Sequence, residues 1–251
     1  MSERHETTAG SRGVAVVTGG TGSIGRAVLA RLRADGFDAV SWSRDPAPAF
    51  DEFHIAADLT DAEAVARAAA ETRTSRGEIR ALVIAAGIQG PIAPLWETSP
   101  AEFRQVLESN LVSAFLTLHA VVPLMRANSG PMPSAIRGRI VLVSSVQGKE
   151  GTALAGAYAA SKAGMIAMGK SLGKELAREG ILVNAITPTV VRSAMEAALT
   201  GERRRDQMAR IPIGRVIETE EVAAMVSWLC GPDCTGSTAA VFDLSGGRTT
   251  Y

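Results

Sequence analysis

Tyr158 and Lys162 stand four positions apart in AGAYAASKAGM (155–165), an alanine-rich stretch of high helix propensity. Four positions is about one helical turn, so both side chains leave the same face. The chain has only two tyrosines, and one of them sits beside a lysine. An isolated tyrosine has a pKa of about 10, too high for an efficient base near pH 7. A nearby lysine cation favours the phenolate, so the pair is expected to exchange a proton with a substrate.

A second constellation is TGGTGSIG, Thr18 to Gly25, which follows an apolar β-rich run (GVAVVT, 13–18) and opens a helical pattern. Read from Gly20 it is G-x-G-x-x-G. Glycine permits a tight turn and close backbone approach to a pyrophosphate, and the helix N-terminus adds unpaired N–H groups and a favourable dipole. Dinucleotide binding is expected, against the plainer reading of a turn packed for steric reasons. No lysine follows Gly25, which disfavours a nucleotide-triphosphate loop. The next strand ends SWSRD. A carboxylate there would favour NAD and an arginine the 2′-phosphate of NADP. Ser43 is neutral and Arg44 follows it, so NADP(H) is favoured; Asp45 leaves NAD(H) open.

These residues need a scaffold. Strand patterns at 13–18, 37–43, 52–58, 79–87, 138–145, 181–187 and 239–247 alternate with helical patterns at 23–35, 61–75, 100–128, 155–179 and 218–229. Such alternation predicts an α/β protein with a doubly wound parallel sheet of about seven strands and helices on both faces. The strands are continuously apolar, as in sheets covered on both sides. Residues 1–13 read as a flexible tail and 14–251 as one domain, with a surface loop at Ser129–Arg137.

The chain has 251 residues, with 26 basic and 26 acidic side chains. Zero net charge gives no field to attract nucleic acid or an acidic membrane. No uninterrupted apolar run approaches the roughly 20 residues of a membrane span. The polar N-terminus has no signal-peptide core, and the only cysteines, Cys230 and Cys234, suit a reducing cytoplasm. No metal site is expected: His54 and His5 lack partners at metal spacing.

Thr18–Gly25, IAAG (84–87), Asn110, Ser145 and Tyr158-x-x-x-Lys162 together resemble the short-chain dehydrogenase/reductase family, over about 14–247. The likeness is greatest to the compact branch and its 3-oxoacyl-(acyl carrier protein) reductase-like members. The resemblance implies a single-domain Rossmann fold and hydride transfer between a nicotinamide and a carbonyl or secondary alcohol. It implies that Ser145 bonds the substrate oxygen, with Ser144 its structural neighbour. Tyr158 would be the general acid/base, and Lys162 would bind the nicotinamide ribose and lower the tyrosine pKa. Asn110 would hold a relay water. Asp58 would meet the adenine amino group, with Leu59 beside it. Gly19, Thr21, Gly22, Ser23, Ile24 and Gly25 would cradle the phosphates, Ala85, Ala86 and Gly87 would lie along the adenosine side, and Pro188, Val191 and Ser193 would reach the carboxamide.

Three departures from the family pattern stand out. Ser23 occupies the usual middle-glycine position, Ile84 and Ala85 replace two asparagines, and Thr189 replaces a glycine after Pro188. The resemblance also implies a mobile substrate lid at about 193–213, with Met195, Leu199 and Met208 lining it, and a homotetramer in which Tyr251 reaches a neighbouring site. The substrate is expected to be a 3-oxoacyl thioester, with a sugar acid or small hydroxy compound as alternative. A catalytically silent nicotinamide sensor is the competing class. Arg203, Arg204 and Arg205 read as an anion contact or a solvated helix face, and Trp96 as a substrate wall or packing residue. Trp228 and Phe242 read as core or interface, and His119 as packing. A serine hydrolase built on Ser145 lacks a suitable histidine.

Overall fold

The computed structural model describes residues 12–45, 53–129 and 136–250. The expectations for residues 1–11, including His5, for most of the 129–137 loop and for Tyr251 lie outside them. Seven parallel strands form one sheet: β1 (Val14–Thr18), β2 (Asp38–Ser43), β3 (His54–Ala56), β4 (Ile79–Ile84), β5 (Gly138–Val143), β6 (Ile181–Pro188) and β7 (Val241–Leu244). Their spatial order is β3-β2-β1-β4-β5-β6-β7. The chain therefore reverses its winding between β1 and β4, whose carboxyl ends meet at the pair Thr18–Ile84.

Helices cover both faces. On one side, α1 (Ser23–Ala34) and α9 (Thr219–Cys230) pack through Val28, Leu29, Leu32, Val222, Val226 and Leu229 against Ala15, Val17, Val83 and Val141. On the other, α2 (Ala62–Arg76), α4 (Ser113–Arg126) and α6 (Gly156–Leu176) bury Val65, Leu118, Val121, Met125 and Met165 against Val16, Leu82, Ile140 and Val183. The strand residues are buried on alternate faces, which is why the strands read as unbroken apolar runs. Each fully buried Leu or Ile contributes about 1.5–3 kcal/mol relative to exposure.

The single helical pattern at 100–128 resolves into three pieces. α3 (Pro100–Leu107) starts on a Ser99–Glu102 capping box, a π-helical turn spans Glu108–Val112, and α4 continues to Arg126. By length and composition Pro100–Arg126 is apolar enough to cross a membrane, although Glu102, Arg104 and Glu108 interrupt it. Here Val106, Ala114, Leu118, Val121 and Met125 turn its apolarity into the core. Two short helices, α5 (Gln147–Glu150) and α7 (Ala194–Ala197), had no sequence signal, while α8 (Gly201–Ala209) carries the helix face read at Arg203–Arg205. The final strand is shorter than its pattern, because Ala239 takes a left-handed conformation (φ +58°) ahead of it.

Candidate active site

A cleft of about 310 Å³ opens at the carboxyl ends of the central strands. This is where a doubly wound sheet reverses its winding and binds ligands. Thirteen expected residues line it: Gly19, Gly22, Ser23, Ile24, Gly25, Ala85, Gly87, Ser145, Tyr158, Lys162, Pro188, Val191 and Ser193.

Ser145 follows β5, and its hydroxyl accepts the Gln147 N–H at 3.2 Å as α5 begins. α5 lies so close to α6 that a Cβ on Gly148 would come within 2.7 Å of the Lys162 carbonyl carbon. Ser144 anchors the same contact, its hydroxyl donating to the Lys162 carbonyl at 2.8 Å. These contacts set Ser145 beside Tyr158, close enough for its hydroxyl to lower the phenol's pKa. Lys162 Nζ lies 5.8 Å from the Tyr158 ring centre and donates to the Val143 carbonyl at 2.9 Å.

The electrostatics differ from the expectation at one point. Burial pushes the Tyr158 phenol up to about 12, against a smaller lowering by Ser145. Burial also brings Lys162 down to about 8. In the protein alone, desolvation of the phenolate outweighs any help from the lysine, so Tyr158 is a neutral proton donor at pH 7.

Asn110 lies wholly buried in the π-turn. Its Oδ1 accepts the Ile88 N–H at 2.7 Å, and Nδ2 donates to the Ile88 carbonyl at 2.9 Å and to Ser161 Oγ at 3.0 Å. Both amide hydrogens are thus committed to protein, so the side chain clamps the 88 loop and only acceptor atoms of Asn110 are left to hold a relay water. A Cβ on Gly87 would meet Asn110 Oδ1 at 2.9 Å, so this clamp needs glycine there.

The glycines of the loop do different work. Gly19 takes φ +69° with its Cα side against Ala86, and a Cβ on Gly25 would sit 2.2 Å from the Gly19 carbonyl oxygen. A Cβ on Gly22 would meet only the Gly19 carbonyl at 3.3 Å, and this residue faces the cleft. Gly22 also caps α1 with no side-chain bond, and the first turn holds no acidic residue. The unfilled donors of that turn and the open space at Gly22 fit the pyrophosphate of a dinucleotide.

Thr21, Ser43, Arg44, Asp58, Leu59, Ala86 and Asn110 are outside the cleft lining. Thr21 Oγ1 donates to Ser43 Oγ at 3.2 Å, at the end of β2. Asp58 is exposed, and the Thr60 N–H and hydroxyl bonds, with Arg44 nearby, hold its carboxyl below the usual range. The N–H groups of Ala85 and Ala86 both go to Thr18 Oγ1, at 3.1 and 3.3 Å, so only their carbonyls are spare. Thr189 replaces glycine without strain, since its φ is not positive and its N–H donates to the Leu244 carbonyl.

Among the other candidates, Met195, Leu199 and Arg203 line the cleft, whereas Met208, Arg204, Arg205 and Trp96 do not. Trp96 is 85% exposed. Trp228 packs edge-on against Phe242 at 5.5 Å but is itself exposed, which removes the core reading. His119 stacks on Phe115, and His54 Nδ1 pairs with Ser41 Oγ; both are remote from the cleft. Sequence reasoning missed Gln89, Gln147, Thr189, Gln207 and Arg248, all of which line the cleft. Gln147, two residues after Ser145, could have been found by its adjacency; nothing local marks Arg248.

The family profile described as enoyl-(acyl carrier protein) reductase matches residues 19–249. The chain belongs to the short-chain dehydrogenase/reductase family, whose members are nicotinamide-dependent oxidoreductases acting on alcohols and carbonyls. It is 40% identical to 2-dehydro-3-deoxy-L-rhamnonate dehydrogenase (NAD(+)) of Sphingomonas sp. (strain SKA58), covering 94% of this chain and 95% of that one. It is 32% identical to the 3-oxoacyl-[acyl-carrier-protein] reductase MabA of Mycobacterium bovis (strain ATCC BAA-935 / AF2122/97), over 92% and 91% of the two chains. Among solved structures, levodione reductase superposes with a TM-score of 0.86 at 28% identity, over 96% of this chain and 98% of that one.

Proposed function

We propose that the chain interconverts a ketone and a secondary alcohol at Ser145 and Tyr158, with a nicotinamide dinucleotide laid across the Gly19–Gly25 loop. The observation that carries this reading is that Ser145, Tyr158 and a buried Lys162 line one cleft with the unfilled N-terminus of α1. A bound nicotinamide supplies or accepts the hydride at the substrate carbon. Ser145 and Tyr158 hold the substrate oxygen. Tyr158, neutral at pH 7, gives that oxygen its proton during reduction and takes it back during oxidation. The Lys162 cation stabilises the phenolate left after reduction. Asn110 keeps the 88 loop and Gly87 packed beside Lys162.

Gly19 to Gly25 hold the pyrophosphate, Asp58, Leu59 and the Ala85–Gly87 segment border the adenosine, and Pro188, Val191 and Ser193 border the nicotinamide. Arg44 is exposed and carries no ion pair among the described residues, which favours the 2′-phosphate of NADP(H). The NAD(+) in the name of the Sphingomonas relative keeps NAD(H) as the second reading. Residues 14–251 act as one domain, with 193–213 as the substrate lid, its start tied to Ser23 by the Ala194 N–H at 3.4 Å. A homotetramer in the cytoplasm fits the exposed Phe115 and Trp228 on separate faces and the two buried free thiols. For substrate, the MabA relative supports an oxoacyl thioester and the Sphingomonas relative a sugar acid.

Tyr158→Phe tests the assignment. Turnover followed by nicotinamide absorbance should fall at least about a hundredfold, while cofactor affinity stays within a few-fold. Undiminished turnover would remove Tyr158 from the chemistry, and no turnover by the wild type over a broad ketone and alcohol panel would favour a nicotinamide sensor.

A further inference from the structure

The cleft lining includes a polar, cationic group of side chains around Arg248. Arg248 lines it with a side chain only 3% exposed. Its Nε donates to Glu150 Oε1 at 2.8 Å, its Nη1 to Gln207 Oε1 at 2.8 Å, and its Nη2 also to Glu150. A guanidinium has about five N–H donors in a rigid fork, so both terminal nitrogens keep donors in reserve. Arg203 of α8 lines the same cleft and carries no ion pair among the described residues. Lys162, Arg203 and Arg248 line the cleft against one carboxylate, Glu196, which is held by Arg204 at 2.6 Å, while Glu150 pairs with Arg248. Cations therefore outnumber carboxylates here.

A second observation is independent of charge. Gln89 Nε2, Gln147 Oε1 and Thr189 Oγ1 are buried polar atoms without a protein partner, and all three residues line this cleft. An unsatisfied buried polar atom costs about 1–3 kcal/mol, so a ligand that meets them recovers that cost. An alkyl chain would leave them unpaired.

We propose that this part of the cleft seats the carboxylate of a short hydroxylated acid, with Arg248 and Arg203 as specificity-determining residues and Gln89 and Gln147 meeting its hydroxyl groups. The inference rests on the carbonyl–alcohol reading above and narrows its substrate to the sugar-acid class. Glu150 is a positioning residue that fixes the Arg248 fork. Gln207 extends the network to α8, so seating the acid also braces that helix.

The test uses gluconate, rhamnonate and 3-deoxy-2-oxo-aldonates, each beside its uncharged N-methylamide, with S-acetoacetyl-N-acetylcysteamine as the thioester. Turnover is followed with both nicotinamide cofactors. The preferred acid should exceed its amide in kcat/KM by about 10–100-fold, the range of one charge-assisted bidentate contact. Arg248→Gln should shrink that ratio at least about tenfold, chiefly through KM, and Arg248→Lys should restore part of it. If Arg248→Gln fails to fold, Arg203→Gln carries the same measurement. Ratios unchanged in the folded variants, or a thioester turned over in preference to every acid, would overturn the seat and leave the carbonyl–alcohol reading intact. Calorimetric titration of Tyr158→Phe with the same acids separates the other case. Acid binding that Arg248→Gln abolishes, without turnover of any compound by the wild type, would uphold the seat and overturn the oxidoreductase reading.

Discussion

At the residue scale, Lys162 reconciles a structural cost with a chemical use. Its ammonium is buried against the Val143 carbonyl and brought down to about 8 from 10.5. Below pH 8 both folded and unfolded chains carry that proton, and the full cost of burying the charge is present. Between pH 8 and 10.5 the unfolded chain binds more protons, so stability rises with pH. The wild type, free of cofactor, should gain up to about 3 kcal/mol across that window relative to Lys162→Met, as measured by urea unfolding at stepped pH. Tyr158 acts in the opposite sense, but only above pH 10, and it is common to both proteins. Parallel curves for the two proteins would mean that the lysine is not desolvated. The shared face of the tyrosine and lysine was legible from spacing, and their chemical role from their combination with the glycine loop, Asn110 and Ser145. The direction of the tyrosine shift was not, because it depends on how much water the surrounding elements exclude.

At the element scale, the π-turn at Glu108–Val112 is the feature that helical periodicity concealed. The turn holds no glycine or proline to mark a break, so 100–128 read as one helix. The turn carries Asn110 inward, where it satisfies both the N–H and the carbonyl of Ile88. Asn110→Ala would leave those partly buried backbone groups unpaired. Its expected cost is about 1–3 kcal/mol in unfolding free energy, together with reduced turnover. A variant as stable as the wild type would show that the 88 loop does not depend on the clamp. Short helices α5 and α7 escaped notice for a related reason: four residues cannot display a period.

At the scale of the whole molecule, seven strands in the order β3-β2-β1-β4-β5-β6-β7 bring residues from nearly the entire chain to one end of the sheet. The outer face of α4 and α6 carries a largely apolar groove of about 230 Å³, lined by Phe115, Leu118, Val122, Met168 and Leu172 with His119, Ser171 and Glu175, and Phe115 is 51% exposed. In the homotetramer proposed above this face meets a second copy. Phe115→Glu should then lower the mass seen by sedimentation from four chains of 26.1 kDa each to a smaller assembly. An unchanged mass would place the subunit contact elsewhere.

The sequence by itself determined the alternation of strands and helices, the glycine loop between β1 and α1, and the Tyr158–Lys162 face. Each of these is written in local spacing, which backbone geometry converts directly into structure. Only the tertiary structure decided which polar groups meet around Arg248. Arg248, Glu150 and Gln207 come from three separate segments, and their contact exists only once the carboxyl end of the chain is tied beside α5 through Lys149, Asp243 and Thr249. Side chains that are distant in sequence acquire chemistry by sharing a desolvated space, and no local pattern records that sharing.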